Sequence, residues 1–249
     1  MKLLSEMTWT DAEAARSAGA IALVPVGSTE AHGPHLPLST DVVISKELSR
    51  RVAAGLGQEE IDAVIAPPLA YAVTEYAGEF AGTITLARDT AIALVRDVCV
   101  SLQKQGFHRV VLVNSHLEPA HLETLREAAA AAEALTGKRV VFPDACSRRW
   151  ATTLTEEFKR GACHAGSYET SLVLAARPEL VRDAVRSGLV PKPIDLAKAM
   201  RSGVKTFKAA GAGEAYFGDP AGATVAHGEE IYALLVTMVL TEIREAWPA

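Results

Sequence analysis

Ile21-Ala-Leu-Val-Pro-Val-Gly-Ser-Thr-Glu-Ala-His-Gly-Pro-His35 is the stretch on which the fold turns. Residues 21–26 are an unbroken apolar run between Gly19 and Gly27, which reads as a buried strand. Residues 62–66 and 109–113 repeat the pattern, and 139–142 is a fourth candidate. Between them, residues 42–56 place Val43, Leu48, Val52 and Leu56 on roughly one helical face, and 90–106 and 121–135 have similar apolar spacing. Strands alternating with helices predict an α/β fold whose mostly parallel sheet is covered on both faces. In such sheets ligands sit at the carboxyl ends of the strands. Glu30, His32 and His116 all fall just after a predicted strand.

Composition narrows the classes. A chain of 249 residues can bury one sizeable core, so a single domain over residues 1–249 is expected. With 49% hydrophobic and 22% charged residues, wholesale disorder is excluded. The formal charge of −5 comes with no basic block, which argues against nucleic acid. No apolar run approaches the roughly 20 residues a bilayer requires, so no membrane partner is expected. Met1-Lys-Leu-Leu-Ser-Glu6 turns acidic too soon for a signal peptide. Cys99, Cys146 and Cys163 are an odd, widely spaced set, so no disulfide framework is expected and a cytoplasmic location follows. Residues 186–223 differ from the rest, with Pro191, Pro193, Pro220 and many glycines around a short helical piece at 196–201. A loop-rich excursion of that length forms a lid, a subunit contact or a disordered segment. An apolar helix at about 229–246 closes the chain.

Three segments carry donor atoms. In the first, Gly33, Pro34 and Pro37 stop helix and strand alike, leaving a shaped loop from which Glu30 and His32 face the same side. Asp41 stands at the start of the next helix, where the dipole favours a carboxylate that can bridge two cations. Ser39, Thr40 and Asp41 read equally well as a plain helix cap. In the second, His116 and Glu118 repeat the two-residue spacing ahead of Pro119, a residue suited to a first helical turn. The plain alternative is a capping Asn114 or Ser115 beside a surface histidine. The third, Cys163-His-Ala-Gly-Ser-Tyr-Glu-Thr-Ser171, leads into an apolar helix. There Ala165 and Gly166 let a substrate approach the backbone beside His164, Ser167 suits a cap, and Glu169 falls in the first turn. Cys163 has no Cys-His-Asn arrangement around it and reads as a structural thiol. His108 and His227 are given no role. Two imidazoles and three carboxylates gathered after separate strands suit a pair of divalent cations, and hence a metal-dependent hydrolase.

These motifs occur in one order along almost the whole chain. They are Pro25-Val-Gly-Ser-Thr-Glu-Ala-His-Gly-Pro-His-Leu-Pro-Leu38 with Asp41, Phe80-Ala-Gly-Thr-Ile84, Gly106-Phe-His-Arg-Val-Val-Leu-Val-Asn-Ser-His116, His164-Ala-Gly166, Glu169-Thr-Ser171 and Gly218-Asp-Pro220. In this the chain resembles the creatininase (creatinine amidohydrolase) family. The resemblance implies a three-layer α/β/α sandwich, a two-metal site of zinc and manganese, and a homo-oligomer, often a hexamer. It implies Glu30, Asp41 and His116 as ligands of one metal and His32, Asp41 and Glu118 as ligands of the other, with Asp41 bridging. Many relatives take a carboxylate from a Glu just after His-Ala-Gly; Ser167 stands there in this chain, and Glu118 in the earlier motif preserves the ligand count. Leu117 stands where creatininase places an aromatic residue, and a Trp-Asp pair before the later His is missing, so creatinine is not the expected substrate. Trp150 corresponds to a lid tryptophan of the family.

The expected reaction is hydrolysis of a small-molecule C–N amide, cyclic amide or formamide by water activated between two cations. Glu118 or His164 is expected to carry the proton to the leaving nitrogen, with Glu169 orienting His164 or the substrate amine. Leu117, Trp150, His164 and Glu169 are expected to contact substrate, and His35 to hold a ligand carboxylate or the loop. Two rivals stand beside this reading. One is a two-metal phosphoester hydrolase, weakened by the lack of an arginine cluster near the motifs. The other is a non-catalytic metal-binding module kept for assembly.

Overall fold

All six residues of Ile21–Val26 are buried, as an apolar run with no polar alternation requires. The computed structural model describes residues 2–161 and 163–248. In chain order its elements are α1 (Trp9–Ser17), β1 (Ile21–Val26), α2 (Thr40–Gln58), β2 (Ala63–Ile65), α3 (Arg88–Gln105), β3 (Val110–Asn114), α4 (Pro119–Thr136) and β4 (Val140–Val141). There follow the short helices α5 (Arg148–Ala151) and α6 (Glu156–Lys159), then α7 (Ser167–Ala176), α8 (Asp183–Arg186), α9 (Leu196–Arg201) and α10 (Val225–Ala246). The four strands lie parallel in the order β2-β1-β3-β4, with Leu23 opposite Ile65 on one side and Val111 on the other.

Successive strand side chains point to opposite faces, and this divides the core. Ile21, Leu23, Val111, Val113 and Val141 meet Leu48 and Val52 of α2, Leu172 of α7, and Tyr232 and Leu235 of α10. Ala22, Val24, Val26, Val110 and Leu112 meet Ala15 of α1, Val95 and Cys99 of α3, and Leu125 and Ala128 of α4. The result is the three-layer α/β/α arrangement. Helix ends are set by local chemistry. Thr8 and Asp11 form a capping box at α1, and Gly106 closes α3 in the left-handed conformation (φ +105°) that glycine adopts freely. Helices α7 and α10 pack so closely that a Cβ on Gly228 would lie 2.0 Å from the Ser171 carbonyl oxygen.

The expected strands and long helices are all present, with ends shifted by a few residues. Helix α1 and the short helices α5, α6 and α8 were not anticipated, because each is too short to show an apolar period. The excursion at 186–223 is ordered among the described residues. Leu196, Phe207, Ala212, Ala215 and Phe217 form a third apolar cluster with Ala31 and Ala77, which lie in the loops that follow β1 and β2. The segment therefore lies over the carboxyl ends of the strands. Among the described residues no helix is long and apolar enough to cross a membrane.

Candidate metal centre

The loop after β1 turns back at Gly33 (φ +65°) and carries Glu30 and His32 inward, while Asp41 points from the first turn of α2 to the same spot. The approach of loop to helix is tight, since a Cβ on Gly27 would meet the Asp41 carbonyl carbon at 2.7 Å. His116 comes from the loop after β3, and Glu169 from the first turn of α7. All five side chains are buried.

Backbone carbonyls aim the two imidazoles. His32 donates from Nδ1 to the Glu30 carbonyl (3.1 Å), which turns Nε2 toward Asp41 Oδ1 at 3.2 Å and Glu169 Oε2 at 3.4 Å. His116 donates from Nε2 to the Val73 carbonyl (2.9 Å), which turns Nδ1 toward Asp41 Oδ2 at 3.1 Å and Glu30 Oε1 at 3.3 Å. A metal-ligating imidazole is held in the same way, one nitrogen on a carbonyl and the other free. Two triads share Asp41: Glu30–Asp41–His116 and His32–Asp41–Glu169, each with its donor atoms within 4.8 Å of one another. A third grouping joins Glu30, His32 and His164. His32 Nε2 and Asp41 Oδ1 are buried and lack a partner of hydrogen-bond geometry. Lone pairs facing one another this closely need a positive centre between them, whether protons or cations.

Electrostatics agree. Burial opposes charge on His32, yet the Asp41 and Glu169 carboxylates overcome it and raise the imidazole to about 10. Burial likewise opposes charge on Glu30 and Asp41. The neighbouring histidines nevertheless hold Glu30 down to about 2 and Asp41 well below the usual carboxylate range. Glu169 is raised to about 8, chiefly by burial. The nest therefore demands positive charge, and the donor set of carboxylates and imidazoles suits borderline and hard divalent cations.

Two expectations need correction. Glu118 was expected beside His32 and Asp41, but it belongs to neither triad. It stands just ahead of α4, where its carboxylate accepts the backbone N–H groups of Glu75 (3.1 Å) and Tyr76 (3.2 Å). Glu169 fills the place instead. The backbone turns sharply at Ala165 (φ +50°), and the Ala165 N–H donates to Glu169 Oε2 (2.7 Å), which brings a residue two positions beyond Ser167 back to the nest. Trp150 does not line the cavity; its indole N–H is tied to Glu242 of α10 (2.8 Å). His35 lies where it holds the loop, one of the two roles expected of it. Its Nε2 contacts the Thr170 hydroxyl (2.9 Å) and its carbonyl accepts the Arg182 N–H, so it pins the loop to α7 and to the turn beyond.

The cavity beside the nest has a volume of about 440 Å3. Glu30, His116, Glu118, His164 and Glu169 form its floor, and Leu117, Leu122, Phe158, Leu196, Met200 and Phe207 are among its apolar walls. His164 contacts the Ala31 carbonyl through Nε2 (3.0 Å), and its ring lies 4.4 Å from that of His32 and 4.3 Å from that of Phe207. Burial, seconded by His32, pulls His164 down to about 4, so the ring is neutral and its Nδ1 is an acceptor.

Several participants escaped the sequence reading. Thr74 donates its hydroxyl to Glu30, Ser28 donates to Asp41 Oδ2 (2.7 Å), and Val73, Glu75 and Tyr76 contribute backbone groups. Residues 66–87 have no periodicity; the length of that loop and the Phe80–Ile84 motif mark it, but neither points to Val73, Thr74, Glu75 or Tyr76. His121, five residues beyond His116, carries no sequence signal of its own, yet it is buried against the His116 ring at 4.8 Å.

An α/β sandwich whose strand ends converge on a buried carboxylate–imidazole nest beside an apolar cavity defines a metal-dependent hydrolase. The family model described as creatininase, creatinine amidohydrolase, matches residues 5–243, and the chain belongs to that family. It is 35% identical over 229 residues to the mycofactocin precursor peptide peptidase of Mycolicibacterium smegmatis, covering 91% of this chain and 85% of that one. It is 29% identical to the creatinine amidohydrolase of Pseudomonas putida, over 72% of this chain and 73% of that one. Among solved structures, a manganese form of creatininase superposes with a TM-score of 0.77 at 25% identity, covering 99% of both chains. The protein is thus a metal-dependent amide hydrolase of the creatininase family.

Proposed function

We propose that the protein cleaves the C–N amide bond of a substrate bearing an extended apolar group, with one cation held by Glu30, Asp41 and His116 and a second by His32, Asp41 and Glu169. The observation that carries this is the pair of buried, partnerless atoms, His32 Nε2 and Asp41 Oδ1, facing each other at 3.2 Å. Zinc and manganese are the proposed metals, because imidazole with carboxylate suits both and related creatininase structures are described as Zn–Zn and Mn forms. When bound, such a pair supplies Lewis acidity and a water whose pKa is lowered to about 7.

The chain's own groups do the remainder. Glu118 lines the cavity, and burial raises its carboxyl, so one oxygen can take a proton from water while the backbone N–H groups of Glu75 and Tyr76 fix the carboxylate. It then delivers that proton to the leaving nitrogen. His164, neutral and wedged between His32 and Phe207, presents Nδ1 as an acceptor for the substrate amide N–H. Leu117 and Phe207 are substrate contacts. The apolar walls exceed what a single small ring would fill, which favours a peptide or long acyl amide, as in the peptidase relatives. The phosphoester alternative is weaker: Arg126 lines the cavity but is paired with Asp144. We place residues 1–249 in one domain, with 186–223 covering the site, and assign the chain to a cytoplasmic homo-oligomer.

Inductively coupled plasma mass spectrometry on Glu169→Gln and Glu118→Gln separates the roles. Glu169→Gln loses about one equivalent of metal. Glu118→Gln keeps both and slows turnover of apolar peptide amides by about 10²-fold or more. Full metal in Glu169→Gln, or full activity in Glu118→Gln, would defeat the assignment.

A further inference from the structure

His121 belongs to neither triad and does not line the cavity, yet it is buried directly behind His116. Its Nε2 lies 3.1 Å from Asn114 Oδ1. That oxygen also accepts the His116 backbone N–H (3.1 Å), and Asn114 Nδ2 donates to the His116 carbonyl (2.6 Å). Because a backbone N–H only donates, the Asn114 amide is oriented with its oxygen toward both groups, and His121 must donate from Nε2. The other nitrogen, Nδ1, is then a bare acceptor, and it is buried without a partner. Buried unsatisfied nitrogens are uncommon and costly, and a leucine would fill the first turn of α4 without one. The polar contact that His121 does make is the one from Nε2.

We propose that His121 is a positioning residue for the metal site: through Asn114 it fixes the backbone of His116, and so the direction of the His116 Nδ1 lone pair. This rests on the two-cation reading above. His116 is clamped from two sides. The Val73 carbonyl sets the rotation of the ring, while Asn114, braced by His121, sets the loop from which the ring projects. His32 has no equivalent brace from α4. Loss of His121 should therefore be felt by the cation that His116 faces and not by the one at His32 and Glu169. Outer groups that orient a ligand imidazole commonly contribute 10–100-fold in metal affinity or activity.

The test measures release of each cation from the manganese- or zinc-loaded protein into excess chelator, for wild type, His121→Leu and His121→Gln, with kcat and KM alongside. The expected result is that His121→Leu binds two cations but releases one of them about 10–100-fold faster. Its kcat falls in step while KM holds, and His121→Gln, whose amide N–H can reach Asn114 Oδ1, recovers most of both. Asn114→Ala, which leaves His121 in place, should reproduce the selective release even if His121→Leu fails to fold. Wild-type release rates in the variants, or equal acceleration of both cations, would overturn the role of His121 while leaving the hydrolase reading intact. A wild-type protein that takes up no cation would overturn the hydrolase reading itself.

Discussion

Two hydroxyls hold the carboxylates on which the site depends. Ser28 donates to Asp41 Oδ2 at 2.7 Å, so the shared carboxylate reaches the nest with one oxygen already braced, and Thr74 does the same for Glu30. Ser28→Ala removes the brace without adding volume, and metal affinity should fall by about 10–100-fold; isothermal titration of the metal-free protein would read this directly. The donors legible in the sequence were those that follow a strand by a fixed short step, because an apolar run announces where the strand ends. Glu30, His32 and His116 are of this kind, while Asp41 was legible as a carboxylate in the first turn of a helix. Glu169 was legible as a polar residue at a helix start, but its place beside His32 depends on the left-handed turn at Ala165, which no local pattern signals. Glu118 stands outside the grouped donors for the converse reason. Its spacing from His116 matches that of Glu30 and His32, yet two N–H groups from a distant loop capture its carboxylate.

Helix α7 bears Glu169, so the elements that hold α7 also hold the proposed metal site. Glu157 of α6 accepts the N–H groups of Ser167 (3.0 Å), Tyr168 (2.7 Å) and Asp219 (2.8 Å), joining the start of α7 to the segment before α10. Glu157→Gln leaves one acceptor oxygen for three donors, and should cost about 1–3 kcal/mol in chemical denaturation. On the far side, α10 lies against α7 at Gly228, where an added Cβ would meet the Ser171 carbonyl at 2.0 Å. Backbone cannot yield as a flexible side chain can. Gly228→Ala should therefore destabilise by about 1–3 kcal/mol, as overpacking does, and lower the melting temperature by about 2–4 °C for each kcal/mol. The long helices were legible because their apolar faces repeat over several turns. Gly228 was not, since close approach between two helices leaves no mark on either one alone.

Across the molecule, the sheet brings Glu30 and His116 together from the ends of β1 and β3, α2 and α7 add Asp41 and Glu169, and the 186–223 segment sets Phe207 against His164. The middle layer is bound to both outer layers through apolar contact, but the nest at its carboxyl edge concentrates three buried carboxylates. Such a cluster destabilises the fold unless positive charge fills it. Cations that bind only the folded chain add about 2.7 kcal/mol per site at a hundredfold excess over Kd, or about 5 kcal/mol for two. At about 2–4 °C per kcal/mol for a chain of this size, chelation should lower the melting temperature by about 10 °C or more. Zinc or manganese should restore it and calcium should not, because the imidazoles disfavour a cation that prefers an all-oxygen shell. Differential scanning calorimetry before and after chelation checks this. An unchanged melting temperature would mean that protons on His32 and His116 already satisfy the nest, and the fold would then carry its site without needing a metal.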